Sequence, residues 1–193
     1  MDLYLLHSFP VGSDGDFSIG QATHSYNAHL ANNIGNLLNR FLVLTLKIGG
    51  GVSGTASDAV FLADRANMER EYVAALGRCD LRAALEAVFQ FADTLNKYLD
   101  TKRPWELVSD ESRHPEVADV LLHLGEGLYA MACMLMPFFP AKMEELLARI
   151  GRGDDVHRII AGSLPLDAGI PFASRFEVAE KGVPLFARID VSK

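Results

Sequence analysis

Four asparagines and an arginine lie close together in a segment that has a helical apolar pattern. Asn32, Asn36 and Arg40 follow each other at steps of four, so a regular helix would place them on one face, with Asn33 and Asn39 beside them. Asparagine is a poor helix former, so its repeated use here indicates a polar role. Amide groups donate and accept hydrogen bonds, whereas a guanidinium only donates. These side chains can therefore bind a polar ligand, or they can simply bond to neighbouring helices and loop carbonyls.

A second polar cluster follows where another predicted helix runs into a basic turn. It spans residues 96–105 and reads Asn-Lys-Tyr-Leu-Asp-Thr-Lys-Arg-Pro-Trp, with the only tryptophan of the chain at Trp105. An exposed indole can serve as a platform for a ligand. A lone tryptophan beside a proline is more often a core residue, because large aromatic side chains mainly bury area. Each cluster alone leaves both interpretations open.

The residues that usually carry catalysis or bind metal ions are not arranged for either role. None of the six histidines has another histidine four residues away, the spacing that puts two imidazoles on one helix face. The segment Asp14–Asp16 lacks the later ligands of a calcium-binding loop, and there is no Gly-x-Ser-x-Gly elbow. Cys79 and Cys133 match no ligand or redox spacing, so we expect two reduced, mostly buried thiols. The sequence predicts no catalytic residue and no metal site, and it implies no cofactor.

Composition and charge are those of a globular protein that does not coat nucleic acid. The 193 residues are 49% hydrophobic and carry a net charge of −7, whereas general duplex binders carry massed Lys and Arg. Any nucleic-acid contact is therefore expected to be local and to involve few residues. The longest apolar stretch, residues 128–139, is interrupted by Pro137 and is shorter than the roughly 20 residues of a membrane span. With no signal-peptide pattern at the N-terminus, we expect a cytoplasmic protein that binds neither membrane nor DNA.

Hydrophobic periodicity predicts an all-α fold, in which about five helices form a bundle and an irregular C-terminal tail packs on it. The helices are expected at residues 18–48, 56–76, 80–99, 115–135 and 141–150, with a further turn or two at 154–161. The candidate N-caps are Asp16 or Ser18, Ser57 or Asp58, and Asp80. The triple glycine at residues 49–51 is expected to end the first helix. The bundle should span residues 18–161 and the tail residues 162–193, with minimal strand content.

Taken together, the two polar clusters and their flanks resemble the C-terminal anticodon-binding domain of methionyl-tRNA synthetases, a class I aminoacyl-tRNA synthetase family. The resemblance is carried by the strings FPVGSDGDFS at residues 9–18, YNAHLANNIGNLLNR at 26–40 and NKYLDTKRPW at 96–105. The ending Pro184–Ile189 is also similar, so the resemblance covers nearly the whole chain. It implies the helical-bundle fold of that domain and recognition of the CAU anticodon of tRNA(Met).

The resemblance also assigns roles to residues at matching positions. Asn32, Asn36 and Arg40 correspond to the residues that read the anticodon. Trp105 corresponds to the ring that stacks on the first anticodon base, a cytosine. Unstacked bases are read on their Watson–Crick edges, where Arg40 can donate to the acceptors of cytosine and uracil presents a donor instead. Basic residues of the second cluster would hold phosphates. The RNA-binding residues implied are Asn32, Asn36, Arg40, Asn96, Lys97, Lys102, Arg103, Pro104 and Trp105.

The catalytic signatures of the same family are not found in this sequence. There is no nucleotide-binding fold with HIGH-like and KMSKS-like motifs and no zinc-binding cysteine knuckle. In the family, ATP and methionine bind that catalytic domain, so this chain alone is not expected to activate methionine. Residues 1–17 match the connection to the catalytic domain, which would then be a partner in cis or in trans. The sequence does not separate an excised fragment of a ligase from a free-standing homologue.

Two other functions stay open. A helical protein-interaction module could keep the fold and dock on a partner, such as a catalytic chain, through an apolar face; the acidic charge favours this somewhat. An anticodon domain of a synthetase for isoleucine, valine, leucine or cysteine shares the helical-bundle plan. The combination of Asn36, Arg40 and Pro104-Trp105 argues against that second alternative.

Overall fold

The computed structural model describes residues 2–8, 18–161 and 169–190 and confirms the all-α fold class. The α-helices are α1 Asp2–Ser8, α2 Ile19–Tyr26, α3 Gly35–Lys47, α4 Ala59–Gly77, α5 Leu81–Lys102, α6 Pro104–Leu107, α7 His114–Leu135, α8 Pro140–Arg149 and α9 Val156–Ile160. A π-helical segment, Asn27–Ile34, joins α2 to α3, and 3₁₀ turns at Glu111–Arg113 and Gly153–Asp155 precede α7 and α9. The five predicted helices are all present, whereas the short α1 and α6 are not predicted by the apolar pattern.

Side-chain caps explain where the long helices begin. Ser18, Asp58 and Asp80 each accept a hydrogen bond from a backbone N–H in the first turn of α2, α4 and α5, at 3.0–3.4 Å. Such caps satisfy N–H groups that have no partner inside the helix. Asp16, the other candidate cap for the first helix, lies outside the described residues, as does the calcium-loop-like segment around it.

The described strands form one short antiparallel ribbon beside the bundle. Gly49 and Gly50, with φ of 105° and 84°, end α3 in a conformation that suits glycine and lead into β1, Gly51–Ser53. Strand β1 pairs with β2, Arg175–Glu177, which belongs to the tail. The ribbon therefore attaches the tail to the C-terminal end of α3.

Helix α7 forms the centre of the bundle and packs against α3, α5 and α8. Its glycines allow close approach, because a Cβ at Gly127 would lie 2.5 Å from a methyl group of Leu95, and one at Gly125 2.7 Å from the ring of Phe176. A window within Glu111–Leu135 is long and apolar enough to cross a membrane by length and composition, but 89% of it is buried inside the bundle. The burial is that of a core helix.

Buried polar groups bind the tail to the bundle. Arg65 of α4 and Glu126 of α7 form an ion pair in which the Nη1–Oε2 distance is 3.2 Å and both side chains are almost fully buried. Arg65 also donates to the carbonyl of Ile170, while Glu126 accepts from the N–H groups of Ala173 and Ser174. The tail thus supplies backbone partners to charges that would otherwise be costly to bury.

The two cysteines differ in burial, so the expectation of two mostly buried thiols is wrong for one of them. Cys133 is buried in α7, and this burial raises the pKa of its thiol to about 12. Cys79 is exposed, because it lies in the turn between α4 and α5 with a φ of 57°, where the apolar pattern of the helices does not apply.

Candidate RNA-binding site

The two polar clusters of the sequence meet in the structure where the middle of α3 faces the end of α5 and the short helix α6. The guanidinium carbon of Arg40, in α3, lies 5.5 Å from the ring centroid of Trp105, in α6. Nη1 of Arg40 also donates to Oδ1 of Asp100, in α5, at 3.1 Å. Trp105 is 39% exposed, so its ring is accessible although part of it is packed. Three elements therefore hold a guanidinium and an indole side by side at the surface.

Local backbone geometry turns the tryptophan towards Arg40. Helix α5 continues to Lys102, and Arg103 then adopts φ 49° and ψ 50°, which ends the helix and changes the direction of the chain. Pro104 is buried at the first position of α6, where a missing N–H costs no helical hydrogen bond. Trp105 consequently lies on a short helix. The helix expected to end at residue 99 continues to Lys102, so the turn that follows it is made at Arg103.

The π-helical segment Asn27–Ile34 interrupts the single regular helix predicted over residues 18–48. Its backbone hydrogen bonds span five residues, so it carries more residues per turn than the 3.6 of an α-helix. The prediction that Asn32, Asn36 and Arg40 share one helix face is therefore wrong in detail. Asn32 and Asn36 line one groove, whereas Arg40 contacts α5 and α6.

The groove beside the asparagines has a volume of about 580 Å³ and is open to solvent. One wall is the polar side of the π-helical segment and α3, including Asn32, Asn36 and Asn39. The opposite wall brings basic groups, with Arg149 from α8 and Lys181 from the tail. The sequence gives no signal for these two residues, because they reach the groove only through the path of the tail.

Asn96 and Asn33 connect the π-helical segment to α5. The amide of Asn96 donates to Oδ1 of Asn33 at 2.7 Å and to the carbonyl of Ala92 at 3.1 Å, while Nδ2 of Asn33 donates to Oδ1 of Asp93 at 2.9 Å. Asn33 is buried, and Asn96 is half-buried. Bonding between helices, the alternative interpretation of the asparagines, therefore applies to this pair, and Asn96 faces a small groove that also contains Asn32.

The three predicted phosphate contacts, Lys97, Lys102 and Arg103, are all exposed. Lys97 projects from α5, and Nζ of Lys102 lies 3.8 Å from Oδ2 of Asp58. Arg103 pairs with Glu106 one turn away. Exposed ion pairs of this kind contribute little free energy, so a phosphate group can replace these carboxylates without a large penalty.

The ionisable groups near the site have pKa shifts that suit structural roles. The hydrogen bond from the Phe61 N–H lowers the pKa of Asp58, which keeps this cap ionised. Burial raises the pKa of Tyr98, and burial together with the nearby His7 lowers the pKa of His29. Across residues 2–8, 18–161 and 169–190, no group of three or more His, Cys, Asp or Glu side chains could hold a metal ion. The described side chains therefore offer an exposed aromatic ring and cationic groups.

Comparison with known proteins relates this chain to one kind of enzyme, although no family model matches it. It is 32% identical over 194 residues to methionine–tRNA ligase 1 of Bacillus anthracis and 31% identical over 196 residues to methionine–tRNA ligase of Listeria monocytogenes. Both alignments cover 97% of this chain, which spans 29% of the length of these curated relatives.

Solved structures share the fold. The free methionyl-tRNA synthetase of Mycobacterium tuberculosis superposes with a TM-score of 0.84 at 23% sequence identity, over 99% of this chain and 39% of that chain. The same enzyme in complex with methionyl-adenylate superposes with a TM-score of 0.82 at 24% identity, over 97% of this chain and 37% of that chain.

Proposed function

Because the chain is a homologue of the C-terminal part of methionine–tRNA ligases, we propose that it recognises the CAU anticodon of tRNA(Met). The observation that carries this proposal is the meeting of Arg40 and Trp105 at 5.5 Å, next to a groove lined by Asn32 and Asn36. A stacking platform, a donor group and amides are the parts that reading an unstacked base requires.

Trp105 provides the platform for the first anticodon base. Its exposed ring can take a base against one face, which contributes roughly 1–3 kcal/mol whichever base is present. Stacking therefore supplies affinity but little discrimination between cytosine and uracil.

Arg40 supplies the discrimination. Cytosine presents two acceptors, O2 and N3, and a guanidinium offers only donors. Asp100, bonded to Nη1 of Arg40 at 3.1 Å, fixes the orientation of the guanidinium before RNA arrives. Uracil carries a hydrogen on N3 that would face these donors, and an unsatisfied donor pair of this kind costs about 1–3 kcal/mol. The amides of Asn32 and Asn36, with both donors and acceptors, face the groove along which neighbouring nucleotides would lie.

Electrostatic attraction to the RNA is local. Lys97, Lys102 and Arg103 are exposed at or near the end of α5 that leads to Trp105, whereas the whole chain has a net charge of −7. If each of these three residues neutralises one phosphate of a single strand, log K should fall against log salt with a slope of about −2. Few phosphate contacts make the proposed module a weak binder whose affinity decreases with salt. Its preference for cytosine comes from Arg40 and not from these charges.

The ligation chemistry belongs in this proposal to a catalytic domain that binds ATP and methionine. This chain would hold the anticodon for such a domain, in cis or in trans, and would be inactive as a ligase by itself. Its compartment would be the cytoplasm, where tRNA(Met) is charged.

A titration with two anticodon stem-loops, identical except for CAU or UAU, tests the proposal at fixed low salt. We expect the CAU loop to bind about fivefold to a hundredfold more tightly, from the donor mismatch of about 1–3 kcal/mol worked out above. Equal affinities for the two loops would refute anticodon reading. Binding to neither loop, combined with capture of a methionine–tRNA ligase catalytic domain, would instead favour the protein-interaction module.

A further inference from the structure

The end of the described tail is fastened to the start of the π-helical segment by a single side chain. Nδ2 of Asn27 donates to the carbonyl of Ile189 at 2.8 Å, and Oδ1 of Asn27 accepts from the Ile189 N–H at 2.9 Å. The amide therefore uses its donor and its acceptor on the backbone of one residue, 162 residues away in the sequence. A side chain with both groups at this length is needed for such a contact.

The other end of the π-helical segment contacts the same stretch of tail. The side chain of Phe186 lies against Gly35, where an added Cβ would be 3.7 Å from Phe186 and 3.0 Å from the carbonyl of Leu30. The ring of Phe186 also meets that of Tyr26 edge-on at 6.3 Å. The tail thus touches the π-helical segment at its first residue and at the residue that follows its last.

This attachment matters because π-helical turns are rare and are frequently found at functional sites. A π turn contains one residue more than an α turn. If the turn becomes α-helical, the residues that precede it therefore rotate by about 100°, one residue of an α-helix, relative to α3. Asn32 lies inside the segment, between the two tail contacts, and it lines grooves on both sides of the helix. Its direction therefore depends on whether the π turn is kept.

We infer that Asn27 is a positioning residue: by binding the backbone N–H and carbonyl of Ile189 it keeps the Asn27–Ile34 segment π-helical and so fixes where Asn32 faces the RNA groove. This inference rests on the proposed function. Asn27 itself does not read the base, and its effect passes through the backbone to Asn32.

The test compares Asn27→Ala with Asn67→Ala, a matched control on α4 whose amide donates to Glu71 far from the site. The first readout is amide hydrogen exchange of the full chain. Asn27→Ala should speed exchange within residues 31–35 and leave α5 and α7 unchanged, and Asn67→Ala should leave all three unchanged. Unaltered exchange at residues 31–35 in Asn27→Ala would overturn the inference.

The second readout is the dissociation constant of each stem-loop. Asn27→Ala should weaken binding of both loops by a similar factor, about twofold to tenfold, the equivalent of one lost hydrogen bond, because Asn32 faces nucleotides that the two loops share. The melting temperature should stay within about 4 °C of the parent, because the contact is exposed. A parent chain that does not distinguish the loops refutes the proposed function itself. A parent that does, with an Asn27→Ala variant that binds both loops as tightly as the parent, refutes only the role of Asn27.

Discussion

Replacing Trp105 by alanine should weaken binding of both anticodon stem-loops and leave the preference between them largely intact. The ring is 39% exposed, so a base can cover it in the complex, and its loss removes roughly 1–3 kcal/mol of stacking. The cation–π contact to Arg40 adds about 0.5–1 kcal/mol to the orientation of the guanidinium. A total of about 2 kcal/mol corresponds to a roughly thirtyfold increase in the dissociation constant.

Trp105 is the only tryptophan in the chain, so the parent protein reports its own complex. Stacking of a base on the indole should quench its fluorescence in proportion to the bound fraction. Affinities of the variants, which lack the indole, come from the anisotropy of labelled stem-loops. Trp105→Phe serves as the matched control: it keeps an aromatic face, so it should bind several times more tightly than Trp105→Ala.

Two results would refute this reasoning. Unchanged affinity of Trp105→Ala for the CAU loop would remove the platform from the account. A loss confined to the CAU loop, with UAU binding unaffected, would mean that the ring reads the base rather than stacking on it. A melting curve of each variant separates either result from partial unfolding.

Three further outcomes follow from the described contacts. Arg40→Ala and Arg40→Lys should both abolish the preference for CAU, since lysine keeps the charge but not the planar donors, and a CAU-to-UAU ratio preserved in Arg40→Lys would contradict this. His123→Phe should lower the free energy of unfolding by about 2–4 kcal/mol in urea titrations, because Nε2 of His123 accepts the N–H groups of Ser57 and Asp58 at 3.1 and 3.0 Å; a smaller loss would argue against this cap. Burial lowers the pKa of His29, so the unfolded chain binds a proton at this residue more readily than the folded chain. The melting temperature of the parent should therefore decrease between about pH 7.5 and about pH 5.5, and that of His29→Phe should decrease less. An equal decrease in both proteins would count against the assignment.

Most of the fold could be predicted from the sequence, because the local signals for helices, caps and helix ends agree with one another and with the structure. The apolar periodicity identifies the five long helices, Asp58 and Asp80 cap α4 and α5 as expected, and Gly49 and Gly50 stop α3. These features depend on neighbouring residues in the chain. Cys79 was the exception, since its exposure is decided by the conformation of a turn.

The site was less predictable, because its geometry comes from distant contacts. The π-helical segment is attached through Asn27 to Ile189, and no periodicity in residues 18–48 indicates it. Asp100 belongs to the second cluster, but its hydrogen bond to Arg40 joins two helices and is not visible in the sequence. In the sequence Asn33 is equivalent to the asparagines beside it, whereas in the structure it is buried and donates to Asp93. The nine implied RNA-binding residues stay a prediction.

The most direct test of anticodon reading is a ¹H–¹⁵N correlation spectrum of the chain titrated with the CAU stem-loop. Trp105 gives the single indole resonance of the protein, and the side-chain Nε–H of Arg40, whose guanidinium carbon lies 5.5 Å from the centroid of that ring, gives a second probe. We expect both signals to shift with the CAU loop along one saturating curve, and the Arg40 signal to shift much less with the UAU loop. Saturable binding of the CAU loop that leaves both signals in place would contradict the account.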